Sequence, residues 1–145
     1  GKSMEEVAQW LEEHKKNSVV FFSVDDLNYL KRGGRLSGGA AFFGTVLDIK
    51  PILHTTEDGK LVPIEKVKGR KKAWRRMAEL VAVRILDKDD EITVQYTDKQ
   101  AGEWLCQLLR ESCGAENVLL MPVGPVIGGH TGPGVMGLAF MGKER

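Results

Sequence analysis

Hydrophobic positions along the chain repeat with two periods, one helical and one strand-like. Met4, Val7, Ala8 and Leu11 recur at helical spacing behind Ser3 and Glu6, a capping-box pair, so the chain is expected to open with a helix ending near Asn17. Residues 19–24, VVFFSV, form a continuous apolar run of strand length. Ser23 and Asp26 then mark a short helix through Leu30, closed by Gly33. From Ser37, the residues Ala40, Ala41, Phe43, Gly44 and Leu47 predict another helix, ending near Asp48, with small residues along one side.

Residues 50–67 read as a hairpin turning at Asp58-Gly59, with Pro51 and Pro63 suited to strand ends or edges. After KGRKKAWRR, a long helix presents Trp74, Met77, Ala78, Val81 and Ile85 as its buried stripe. Residues 91–97 alternate, with Ile92, Val94 and Tyr96 inward, which predicts a sheet with one wet face. Thr97 and Gln100 form a second capping box before a helix that buries Ala101, Leu105, Leu108 and Leu109 and stops at Gly114. NVLLMPV and VMGLAFM supply two more strands, joined by a glycine-rich loop that carries His130. The sum is about six strands and four or five helices, without repeat or low-complexity linker. That pattern predicts a single α/β domain of α+β-like, two-layer build: a mixed six-stranded sheet with helices mainly on one face.

Composition narrows the class. A domain near 145 residues buries about 68–70% of its unfolded surface, so no disulfide or metal staple is required. Apolar content of 42% and charged content of 28% are those of a soluble globular protein, and no run approaches the roughly 20 apolar residues that span a bilayer. The net charge of +1 steers the whole molecule neither to nucleic acid nor to membrane. Cys106 and Cys113 share one predicted helix, separated by roughly 10 Å along its axis, too far to bridge. Reduced thiols and a cytoplasmic location are therefore expected. The chain starts at Gly1 without a methionine, compatible with a piece of a longer protein.

Three stretches carry candidate chemistry. In KRGGRLSGG, Ser37 would cap the following helix, whose free N–H groups and positive dipole end make an anion site. Arg35 adds a guanidinium suited to carboxylate or phosphate, although it could equally pair with a structural carboxylate while the glycines serve a tight turn. In GGHTGPGVMGLAF, His130 stands among glycines that let a ligand approach the backbone; it can act as base, ligand or hydrogen-bond anchor, and local sequence does not choose. His14 and His54 lack such a setting and are read as structural. The third stretch is the basic run Lys66, Lys68, Arg70, Lys71, Lys72, Arg75 and Arg76, ordinarily a solvated helix start. Other signals fail: GKS lacks the glycine-rich loop of a P-loop, GHTGPG lacks the glycine order of a dinucleotide fingerprint, and no metal-ligand spacing or nucleophile elbow occurs.

Taken together and in order, LNYLKRGGRLSGGAAFFGTVLDIKPIL, GKLVPIEKVKGRKKA and HTGPGVMGLAF resemble the carboxy-terminal domain of the DegV family of bacterial fatty-acid-binding proteins. The resemblance implies a six-stranded mixed sheet here, a separate amino-terminal Rossmann-like domain absent from this chain, and a long-chain fatty acid held where the two meet. It implies that Arg35 and His130 contact the lipid carboxylate and that Arg70 faces a partner, a fatty acid kinase with a dihydroxyacetone-kinase-like fold. That kinase would phosphorylate the bound acid for phospholipid synthesis, leaving this chain a non-catalytic carrier with no cofactor or metal. Ala40, Ala41 and Gly44 would leave room for the acyl chain. Hydroxyl groups completing the carboxylate site lie in the missing domain, so this chain would hold half a site.

A reading from another class is a regulatory or scaffolding module that binds phosphate-bearing ligands or nucleic acid through residues 66–76. Near-neutral charge and a lone nearby aromatic, Trp74, make nucleic acid the weaker expectation. An enzyme using His130 as general base lacks a recognisable nucleophile nearby in sequence. Neither does anything predict stable insertion into a membrane.

Overall fold

The computed structural model of the protein describes residues 1–36 and 48–143. Along the chain run α1 (Met4–His14), a 3-10 turn (Lys15–Asn17), β1 (Ser18–Ser23), α2 (Asn28–Arg32), β2 (Ile49–Thr55), β3 (Leu61–Lys68), α3 (Arg70–Arg84), β4 (Ile92–Tyr96), α4 (Lys99–Cys113), β5 (Val118–Pro122), α5 (Pro125–Thr131) and β6 (Met136–Met141). The six strands form one sheet in the order β3-β2-β1-β6-β4-β5. Only the β4–β5 pair is parallel, and α4 is the crossover that such a pair requires. The sheet is mixed, as expected.

Successive residues of β1 point to opposite faces. Phe21 joins Ile92, Val94 and Leu138 beneath α3 and α4, whose Met77, Val81, Leu105 and Leu109 complete the main core. Phe22 turns the other way and joins Val24, Leu27, Leu30, Leu53 and Val135 in a second cluster beside α2. The two long helices thus share one face. The opposite face carries Gln95, but Phe22 and Gly137 lie beside it, so this face is partly apolar rather than simply wet.

Pro63 lies in β3, an edge strand, and Pro51 lies beyond the stretch of β2 that pairs with β1, positions where the sheet tolerates proline. The hairpin turns at Asp58-Gly59 as expected, Gly59 at φ 78°.

Several local expectations are corrected. Ser23 ends β1 and caps nothing; the Asp26 carboxylate accepts the Asn28 N–H at 2.8 Å, and α2 begins at Asn28. Gly33 does close α2, as expected, although at an ordinary φ of −77°; its neighbour Gly34, at φ 65°, makes the left-handed turn. Asp98, not Thr97, is the N-cap of α4, its carboxylate accepting the Ala101 N–H at 3.2 Å. The residues around His130 form a short helix instead of an open loop, with Pro125 in its first turn, where a missing N–H costs nothing. The capping box of Ser3 and Glu6 is present, yet α1 buries no residue: Met4 is 80% exposed and Leu11 54%. The helix expected from Ser37, and with it Ala40, Ala41 and Gly44, lies outside the described residues.

Candidate functional site

α2 and α5 pack together and bring two distant glycine-rich segments into contact. Gly33 is required by this contact and not by its own φ: a methyl group there would stand 2.4 Å from Nδ1 of His130. Arg35 is tied to the same residue, its Nη1 donating to the Gly33 carbonyl at 3.0 Å. Arg35 is exposed and His130 half-buried, so both remain within reach of a ligand. A second contact secures α5, because a methyl group on Gly132 would meet the Tyr29 ring of α2 at 2.5 Å.

The third segment joins at Gly134. Its α-carbon rests against Asp25, whose carboxylate is bound by Nε of Arg70 at 2.9 Å, by Nη2 of the same guanidinium, and by Nζ of Lys50 at 3.1 Å. Burial pushes the Asp25 carboxyl up, but the hydrogen bonds from Arg70 and Lys50 outweigh it and hold the group below the usual carboxylate range. The Gly134 N–H donates to Thr97 Oγ1 at 3.1 Å, and that hydroxyl donates to the Val135 carbonyl at 3.2 Å. Arg70 therefore sits on the far side of the turn that follows His130. Its side chain is still 53% exposed.

On the opposite face of the sheet, Ile127 and Thr131 of α5 help line an apolar pocket of about 190 Å³. Val20, Phe22 and Gly137 contribute its floor, with Val123, Ile127 and Val135 around them. Thr131, 5% exposed, turns its hydroxyl to the Ile127 carbonyl at 2.8 Å, so the lining is mainly apolar, with Gln95 as a polar side chain on it. Drug-sized ligands occupy roughly 300–1,000 Å³, so these walls enclose only part of such a ligand. Sequence reading missed this pocket. The one signal for it was Gly137, a glycine inside a strand, where a strand residue normally carries a side chain.

The basic run is partly neutralised. Arg76 holds Glu65 through two bonds of 2.9 Å and reaches Glu79 at 3.0 Å, and Arg70 is taken by Asp25. Those pairings remove two of its cations from any phosphate-binding row. His14 stacks on Trp10 and shares a hydrogen bond with the Trp10 carbonyl, and His54 lies beside Phe21 in the sheet. Both cysteines are free. Among the described residues no cluster of three metal-ligating side chains occurs, and no helix is long and apolar enough to cross a membrane.

Residues 1–143 match the family described as "Uncharacterised protein, DegV family". A DegV domain-containing protein of Clostridium perfringens is 38% identical over 147 residues, which cover all of this chain and 50% of that protein. A fatty acid binding DegV family protein from Streptococcus agalactiae has a solved structure that superposes with a TM-score of 0.84 at 34% identity, over 96% of this chain and 50% of the other. A DegV family protein from Thermus thermophilus, described by its fatty acid binding, gives 0.81 at 35%, over 97% and 51%. The chain spans about half the length of the relatives it matches.

Proposed function

The chain belongs to the DegV family, and on that premise we propose that it is the carboxylate-holding half of a fatty-acid carrier. Arg35 and His130 would take the lipid head group, and the pocket floored by Val20, Phe22 and Gly137 would take the first part of the acyl chain. The observation that carries this reading is a convergence in the fold: Arg35 and the His130 ring meet at Gly33, and α5, which carries His130, also contributes Ile127 and Thr131 to the apolar pocket. A fatty acid is such a molecule, one anionic end on a long hydrocarbon.

The second half of the site would come from an amino-terminal domain. Exposed apolar surface supports this reading: Leu119, Met121, Val126 and Ile127 are each more than two-fifths exposed, and the stripe of α1 is uncovered. Burying about sixteen carbons at roughly 0.8 kcal/mol each is worth about 12 kcal/mol gross, so a tunnel closed on one side only would hold lipid weakly. The carrier would perform no chemistry itself. A separate fatty acid kinase would meet it near Arg70 and transfer phosphate to the carboxylate, which feeds phospholipid synthesis.

Native mass spectrometry of the full-length protein purified from bacteria tests the reading. A retained long-chain fatty acid is expected; protein that is consistently empty after gentle purification overturns it.

A further inference from the structure

His130 sits in the last turn of α5, and the chain leaves that turn through Gly132 at φ 75° and Gly134 at φ 82°. Glycines in the left-handed region have many alternatives open to them, so the turn has little stiffness of its own. What holds it must come from outside.

We propose that Thr97 is a positioning residue for His130, an inference that rests on the fatty-acid reading of the site. Thr97 directly follows β4, whose Ile92 and Val94 are fully buried, and it is therefore attached to a strand anchored in the core. Its hydroxyl makes two bonds at once, accepting from Gly134 N–H and donating to the Val135 carbonyl. A hydroxyl satisfies both groups because it is donor and acceptor together. Thr97 thus ties the exit of α5 to the sheet on one side while Asp25 supports Gly134 on the other. With the exit held, α5 keeps its place against Tyr29 and Gly33, and the His130 ring keeps its position over Gly33. The sequence offered Thr97 as a helix cap; Asp98 does that work, which leaves the Thr97 hydroxyl for the turn.

Thr97→Val keeps the shape and removes the hydroxyl, while Thr97→Ser restores it. Ring-nitrogen NMR of His130 and amide exchange at Gly134 are followed in the chain itself, and palmitate binding in the full-length protein. Thr97→Val should speed Gly134 exchange by about three- to tenfold, the range lost with one hydrogen bond, shift the His130 ring resonances and weaken palmitate by a similar factor. Thr97→Ser should return all three towards wild type. Faster exchange at Gly134 with unmoved His130 resonances overturns the proposal, as does a serine variant that behaves like valine. If wild-type full-length protein binds no palmitate, the fatty-acid reading falls, and the His130 resonances still decide whether Thr97 positions the ring.

Discussion

The imidazole of His130 covers the α-carbon of Gly33 so closely that the methyl group of an alanine there would lie 2.4 Å from Nδ1. Two segments far apart in the chain are joined at that point. Because the obstacle is a side chain, Gly33→Ala should push the ring aside before it unfolds the protein. The expected cost is about 1–3 kcal/mol, the usual range for overpacking, and it should largely vanish when His130→Ala is already present. A double-mutant cycle by urea denaturation measures that coupling; additive penalties would contradict the contact.

Arg35 is exposed, and among the described residues its bonds are those to the Gly33 carbonyl and, through its backbone N–H, to the Leu30 carbonyl. Arg35→Ala should change the melting temperature little and reduce fatty-acid retention by roughly tenfold or more, as expected for a charge-assisted contact. Arg35→Lys should recover only part, since an ammonium cannot bond a carboxylate in two parallel places. Quantifying bound lipid by mass spectrometry separates the variants.

Asp25 predicts a dependence on pH. Its carboxyl is held below the ordinary value in the folded chain, so the stability it adds is present at neutral pH and is lost as pH falls below about 4. Asp25→Asn should cost about 2 kcal/mol at pH 7, a typical value for hydrogen bonds to charged groups, and much less at pH 3. Urea titrations of both proteins at the two pH values provide the check. A constant difference would mean that the charge of Asp25 is not what matters.

Gly134 combines a φ of 82° with a carboxylate oxygen 2.2 Å from where a Cβ would stand. Gly134→Ala should therefore be among the most damaging single-methyl additions in the chain, at about 2–4 kcal/mol from strain and overpacking together. Calorimetric melting compared with that of Gly59→Ala, where the space is open, distinguishes the crowded site from backbone strain alone.

Gly137 offers the opposite case. A Cβ there would find Gln95 and Phe22 at 3.6 to 3.8 Å, ordinary contact, so Gly137→Ala should be neutral or stabilising by about 0.5 kcal/mol through reduced chain entropy. Gly137→Leu would instead fill the apolar pocket. Thermal melting with palmitate binding should show the folded protein retained and the lipid lost; unaltered binding would remove this pocket from the acyl path.

Local pattern made much of the fold legible. Alternation at Ile92 and Val94, the turn at Asp58-Gly59, and the stripe of Met77, Ala78 and Val81 are set by neighbours a few residues away, and each lies in the element predicted for it. The failures were also local in kind. Thr97 and Asp98 are adjacent cap formers, and spacing alone cannot tell which of them a distant turn will claim. The helical repeat of α1 gives the helix it predicts, but burial of its apolar stripe needs a partner surface, and none of the described elements covers it.

By itself the sequence determined the kinds of element, the mixed sheet they could build, and the residue types Arg35, Arg70 and His130 with their glycine settings. Only the tertiary structure decided that His130 ends a helix, that Gly33 is small because of His130, that Arg70 and Asp25 support Gly134, and that Phe22 and Gly137 open a pocket beside them. The reason is physical. Periodicity and turn preference come from interactions within a few residues, whereas these contacts join segments whose approach is set by strand order and helix packing across the whole sheet.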